Sequence, residues 1–188
     1  SKKIFKQNKI KSPPYFVLKK RKYNRNILKK VLKQNQMNFP LVIKPANEGS
    51  SIGVKICKNI NEFKNFSNKL FKSYTELMVE SFIGGQEIQV AVLNNVPLGA
   101  IELKPKRTFY DYKAKYSKSA NTEHIMPANI LRRKYKEVLK IAKKAHQALG
   151  CKGVTRSDFK YFKNQFYLLE INTQPGMTSL SLVPEIAS

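Results

Sequence analysis

The sequence predicts an α+β fold, with antiparallel sheets of locally connected strands and amphipathic helices between them. Three observations predict it. Residues 154–172 read as two strands rich in aromatic and aliphatic residues around a polar turn at Lys163-Asn164-Gln165. Residues 87–93 and 98–103 alternate around Asn94-Asn95, a pair suited to a hairpin turn. Residues 61–74 and 129–149 repeat apolar side chains at helical spacing.

The bulk numbers bound the class. At 188 residues the chain can bury a proper core, as one large domain or two small ones. No apolar run approaches the roughly 18 residues of a membrane span, and no secretory signal opens the chain. Cys57 and Cys151 have no close spacing partner, so they read as reduced, buried small hydrophobes in a cytoplasmic protein with no membrane partner. The formal net charge of +24 invites a nucleic-acid reading. The lysines, however, are spread along the chain and far outnumber arginine, whereas base readout favours clustered arginine forks. Weak, salt-sensitive adhesion to polyanions follows from charge alone; a specific nucleic-acid-binding module is the least favoured function.

In chain order, Ser1 to Lys11 is a basic stretch compatible with a short helix, ended by Ser12-Pro13-Pro14. Tyr15 to Leu18 is a short strand. Asn24 or Asn26 caps a helix to about Gln34, with Ile27, Leu28, Val31 and Leu32 on one side. Leu41 to Lys44 is a strand stopped by Pro45, and Val54 to Cys57 is its partner. The loop between them holds two glycines and two serines, whose N–H groups and hydroxyls can face phosphate oxygens, with Lys44 adding a fixed charge. Phe63, Phe66, Leu70 and Phe71 give an amphipathic helix whose aromatics suit a core. Leu77 to Glu80 is a strand, and Gly84-Gly85 after it marks a domain boundary, dividing the chain into 1–84 and 85–188. Ser117 to Ala128 reads as irregular, and His124 there receives no role. Asn129 is expected to cap the long helix, with Leu131, Tyr135, Val138, Leu139, Ala142 and Leu149 buried and His146 at the surface. Gly150 ends it.

The last hairpin carries the chemistry. With its turn centred on Asn164, Asp158 lies opposite Glu170 and Arg156 opposite Asn172, all on one face. Phe159, Tyr161, Tyr167, Leu169 and Ile171 would take the other face, toward the core. Directly opposed residues have Cβ atoms about 5 Å apart, and like charges there repel. Either protonation or a neighbouring Arg or Lys neutralises the two carboxylates, or a divalent cation does. Asp, Glu and an Asn carbonyl are hard oxygen donors suited to Mg²⁺ that shares its remaining positions with phosphates and water.

The continuation Glu170-Ile-Asn-Thr-Gln-Pro-Gly-Met-Thr178 resembles the metal-binding and substrate-loop signature of the D-alanine–D-alanine ligases, members of the ATP-grasp superfamily. Three further stretches resemble that family in the same order. They are Lys44-Pro-Ala-Asn-Glu-Gly-Ser-Ser-Ile-Gly53, the strand and linker 77–85, and Tyr110-Asp-Tyr-Lys-Ala-Lys-Tyr116. The resemblance implies two α+β subdomains whose antiparallel sheets enclose a nucleotide cleft. It implies an ATP-dependent ligase joining two D-alanines through an acyl phosphate, or else another ATP-grasp carboxylate–amine ligase.

By the same resemblance, Asp158, Glu170 and Asn172 hold two Mg²⁺ ions, with Mn²⁺ able to substitute. Lys44, Ser50, Ser51 and Lys115 meet ATP phosphates; Glu80, Phe82 and Ile83 line the adenine pocket; Glu87 meets the ribose. Arg156 and the Gly176 N–H face the oxyanion. Ser181 and Leu182 border the second D-alanine, and Tyr116 joins Ser50 in a hydrogen-bonded bridge. A Tyr at 116 resembles the D-alanine-adding members. The family's N-terminal Rossmann-like domain has no counterpart in these residues, and its closing helix after Glu185 is cut short. The resemblance therefore implies a fragment of an enzyme that is a homodimer when intact.

Overall fold

The computed structural model describes residues 1–22, 24–46, 53–105 and 122–188. In chain order they form α1 (Lys2–Gln7), β1 (Tyr15–Lys19), α2 (Arg25–Gln34), β2 (Leu41–Pro45), β3 (Lys55–Cys57), α3 (Ile60–Leu70), β4 (Glu76–Ser81), β5 (Gln86–Leu93), β6 (Val96–Pro105), β7 (Thr122–Ile125), α4 (Arg132–Ala148), β8 (Val154–Phe162), β9 (Gln165–Asn172) and α5 (Leu182–Ala187). They group into two compact units, each with its own antiparallel sheet. The α+β expectation holds.

The first unit comprises described residues within 13–82, and its strands run in the order β1-β4-β2-β3. Asn24, not Asn26, caps α2: its Oδ1 accepts the Ile27 N–H at 2.8 Å. Asn59 caps α3, accepting from the N–H groups of Asn61 and Glu62 at 3.0 Å each. Glu62 reaches back to the Lys58 N–H at 2.9 Å, closing both ends of that first turn. The amphipathic face of α3 buries Phe63 and Leu70 against Leu41, Ile43, Leu77 and Val79, so its aromatics are core.

The second unit comprises described residues within 1–12, 83–105 and 122–188, with strand order β7-β6-β5-β8-β9. Helix α4 covers one face of this sheet. Its Val138, Ala142 and Ala145 pack with Ile88, Val90, Ala100, Phe159 and Leu168, and Phe5 and Ile10 extend the same core. The Leu168 N–H donates to the Lys11 carbonyl at 2.9 Å, tying the N-terminal segment to β9. Gly85 enters β5 at φ +84°, where a Cβ would lie 2.2 Å from the Tyr161 carbonyl oxygen. Only glycine fits there.

Several local expectations are corrected. The 154–172 hairpin turns in two residues, not three: Lys163 and Asn164 have φ of 47° and 64°, and Phe162 pairs with Gln165. That is the left-handed geometry of a tight hairpin turn. A bulge between the Asp158 and Phe159 pairings leaves Leu169 as the extra residue, so Phe166 and Leu168 enter the core in place of Tyr167 and Leu169. Residues 122–125 are not irregular; they pair with β6. Helix α4 begins after Leu131, which is 62% exposed, and Asn129 does not cap it. His146 is fully buried, with Nδ1 2.8 Å from Thr155 Oγ1. Burial holds its pKa below the ordinary 6.5.

Candidate functional site

The face of the second sheet away from α4 collects the polar residues, and strand register orders them in rows. One row runs Asn172, Arg156, Ala91, Gly99 across β9, β8, β5 and β6. The next runs Glu170, Asp158, Gln89, Ile101, and a third aligns Lys160, Glu87 and Leu103. The bulge sits beyond the second row, toward the tip. It lets a shorter turn coexist with the expected Asp158–Glu170 and Arg156–Asn172 pairings.

Arg156 grips Asp158 with two bonds, Nε to Oδ1 at 2.8 Å and Nη2 to Oδ2 at 3.0 Å. Two parallel bonds to an ionised carboxylate make a strong, oriented pair. Asn172 Nδ2 adds a third contact to Asp158 Oδ2 at 3.4 Å. The Asp158 side chain is only 5% exposed, so this neutralisation decides whether it can be buried charged. The structure therefore realises the ion pair that the sequence left open beside the metal reading. Glu170, one pair across, has no hydrogen-bond or ion-pair partner among the described residues.

Could these residues hold a cation? Two carboxylates and an amide oxygen on adjacent strands form a hard donor set, and among the described residues the carboxylate of Glu170 is uncommitted. Among the described residues no three His, Cys, Asp or Glu side chains group together. An all-protein cage is thus absent there, and a cation would draw its other ligands from phosphate and water, as Mg²⁺ does. The residues fit.

Residues 173–181 run from β9 to α5. Ser181 Oγ accepts from the Thr178 N–H at 3.1 Å, and a Cβ at Gly176 would lie 2.7 Å from that same Oγ. A side chain at position 176 would have to displace that hydroxyl from its bond to Thr178. Leu182 is buried at the start of α5. A Cβ at Gly99 would come within 3.1 Å of Ile186 Cγ2, which sets α5 over the end of the sheet face where the Arg156 row stands. His124, given no role from sequence, bonds Glu185 of α5 through Nδ1 at 2.8 Å.

Glu87 is paired with its cross-strand neighbour Lys160 at 3.0 Å, with 11% of its side chain exposed, so it is no free surface carboxylate. In the first unit Lys44 Nζ lies 3.0 Å from Glu80 Oε2, a pair whose carboxylate is 4% exposed. Phe82 is half-buried, and its N–H donates to the Pro40 carbonyl at 3.2 Å; Ile83 is half-buried as well. Ser50, Ser51, Lys115 and Tyr116 lie outside the described residues. Sequence reasoning missed Gln89. Its signal was parity, because it shares the face of Glu87 two residues earlier.

A family model described as D-ala D-ala ligase C-terminus matches residues 4–188. A D-alanine--D-alanine ligase of Pelagibacter ubique (strain HTCC1062) is 56% identical over 187 residues, covering 100% of this chain and 60% of that protein. A D-alanine--D-alanine ligase from Bacillus anthracis superposes with a TM-score of 0.83 at 31% identity, covering 99% of this chain and 59% of the other; its complex with ATP gives 0.78. VanG D-Ala:D-Ser ligase from Enterococcus faecalis gives 0.83 at 30% identity, covering 98% and 54%. The chain spans 60%, 51% and 49% of the length of three curated relatives that it matches. The arrangement of acids, amide and arginine thus stands in a chain that belongs to the D-ala D-ala ligase C-terminus family, with the ATP-grasp fold.

Proposed function

We propose that this chain is the nucleotide- and metal-holding part of an ATP-dependent D-alanine–D-alanine ligase that supplies a peptidoglycan precursor in the cytoplasm. The observation that carries the reading is the cross-strand pair Asp158–Glu170, with Arg156 and Asn172 in the adjacent row. Two acids at that spacing are costly unless positive charge is delivered to them. A triphosphate needs the same charge delivered.

The carboxylate of one D-alanine attacks the γ-phosphorus, breaking its bond to the β–γ bridging oxygen, so ADP leaves and an acyl phosphate forms. The amine of the second then displaces phosphate through a tetrahedral intermediate. Asp158, Glu170 and Asn172 would hold two magnesium ions, or Mn²⁺ in their place, which when bound would supply neutralising charge for the phosphates. Arg156 spends two of its five N–H donors on Asp158. The reading also turns its guanidinium charge toward the oxyanion and the second carboxylate, beside the Gly176 N–H. Ser181 and Leu182 border that second D-alanine. Lys44, Ser50, Ser51 and Lys115 take the phosphates, Glu80, Phe82 and Ile83 the adenine, and Glu87 the ribose. For Glu87 this means sharing or releasing Lys160. Tyr116 and Ser50 form the bridge at the amino-acid end. Residues 1–84 and 85–188 remain our linear subdomain division, and the intact enzyme is a homodimer.

The deciding experiment is calorimetric titration of Mg·ATP into the full-length protein and its Glu170→Gln variant. At least about tenfold weaker binding is expected, equivalent to about 1.4 kcal/mol. Wild-type affinity in the variant would refute the ligand assignment. A second reading, with a different amino acid as acceptor, is favoured by the likeness to a D-Ala:D-Ser ligase. Phosphate release across a panel of D-amino acids separates the two.

A further inference from the structure

Gln89 is fully buried, and among the described residues neither its Nε2 nor its Oε1 has a hydrogen-bond partner. A buried amide orphaned at both ends is a strong anomaly, because such groups are nearly always satisfied. Its place is as telling as its state. Register puts it directly opposite Asp158, which is itself opposite Glu170, so all three side chains stand in one row on one face. The orphaned atoms of Glu102, Ser157 and His146 belong instead to the side of the sheet that α4 covers. Thr122 Oγ1 is orphaned too, on the edge strand β7 and outside the Asp158 row; of these atoms, those of Gln89 stand in the row of the candidate metal ligands.

We propose that Gln89 is a positioning residue of the metal–nucleotide site, its carbonyl accepting from a magnesium-bound water and its amide N–H donating to a triphosphate oxygen. The inference rests on the function proposed above. Magnesium keeps several of its waters when bound, and their hydrogens need acceptors. A neutral amide meets that need beside Asp158 and Glu170 without adding a third negative charge. It also offers a donor to phosphate, which Asp and Glu cannot do when ionised. Partners beyond the direct ligands orient a metal site and tune its affinity.

The test uses the full-length protein with Gln89→Met, which keeps length and removes both polar atoms. Two quantities are read: the melting temperature without ligands, and the affinity for Mn·ADP by electron paramagnetic resonance. The expected result is crossed. The ligand-free variant melts no lower than wild type, since two unsatisfied groups have gone. Its Mn·ADP affinity falls about tenfold. A fall in melting temperature that accompanies the affinity loss would show a structural amide, satisfied by resident water, and overturn the proposal. Unchanged affinity in Gln89→Met with weakened binding in Glu170→Gln would overturn it too, and leave the ligase reading standing. Failure of the wild type to bind Mn·ADP would overturn both.

Discussion

Replacing Arg156 with leucine should be among the most damaging changes this sheet can take, and the reason is Asp158. The wild-type pair is bidentate at 2.8 and 3.0 Å, with the two side chains 16% and 5% exposed. Removing one partner of a buried pair leaves an uncompensated charge and costs about 3–5 kcal/mol. An exposed pair would cost only about 1 kcal/mol or less. With a urea slope of about 2 kcal/mol per molar, the unfolding midpoint of Arg156→Leu should fall by about 2 M. Circular dichroism during urea titration reads this directly. The double variant Arg156→Leu/Asp158→Leu removes the orphaned charge as well and should regain most of the loss. Loss under about 1 kcal/mol in the single variant, or no recovery in the double one, would refute the account of Arg156 as the counter-charge of a buried carboxylate.

Two further outcomes follow from the structure. Gly85→Ala should destabilise by more than about 2 kcal/mol in the same assay, since it combines φ +84° with a 2.2 Å clash against backbone that cannot rotate away. His146 should make stability acid-sensitive. Burial lowers its folded pKa, so below 6.5 the unfolded chain binds a proton that the folded chain refuses. Stability is fully present above 6.5 and declines as pH falls from there toward the folded pKa, with a slope of at most about 1.4 kcal/mol per pH unit from this group. A His146→Gln variant should lose that component when melting temperatures are compared between pH 5 and pH 7.5.

How much of this was legible in the sequence depended on how local the deciding physics is. The site rows follow from side-chain alternation, which a reader can count, so Arg156, Asp158, Glu170 and Asn172 could be placed on one face. The tip could not be placed as surely, because Lys163 and Asn164 carry no glycine to mark a two-residue turn, and Leu169 looks like any other strand residue. Residues 122–125 hold a single large apolar side chain, Ile125; their strand exists because β6 offers an edge, a partner far away in sequence. The position of His146 was readable and was misjudged. It lies eight residues after Val138 and four after Ala142, on the buried side of α4, but the neighbouring lysines suggested solvent. The ion pair of Arg156 with Asp158 was open from sequence, because whether an arginine turns toward its own strand depends on what surrounds it.

The spare residue at Leu169 uncouples the two halves of its hairpin. Outward of it, Phe166 and Leu168 are locked by the hydrophobic interior; inward, the backbone of Glu170 and Asn172 stays in register with Asp158 and Arg156. A fluorophore or a longer insertion grafted between Lys163 and Asn164 should therefore leave the acidic cluster undisturbed. Excising Leu169 alone would remove the bulge and restore regular alternation, keeping the Phe159–Leu168 and Asp158–Glu170 pairings, so neither half of β9 turns over.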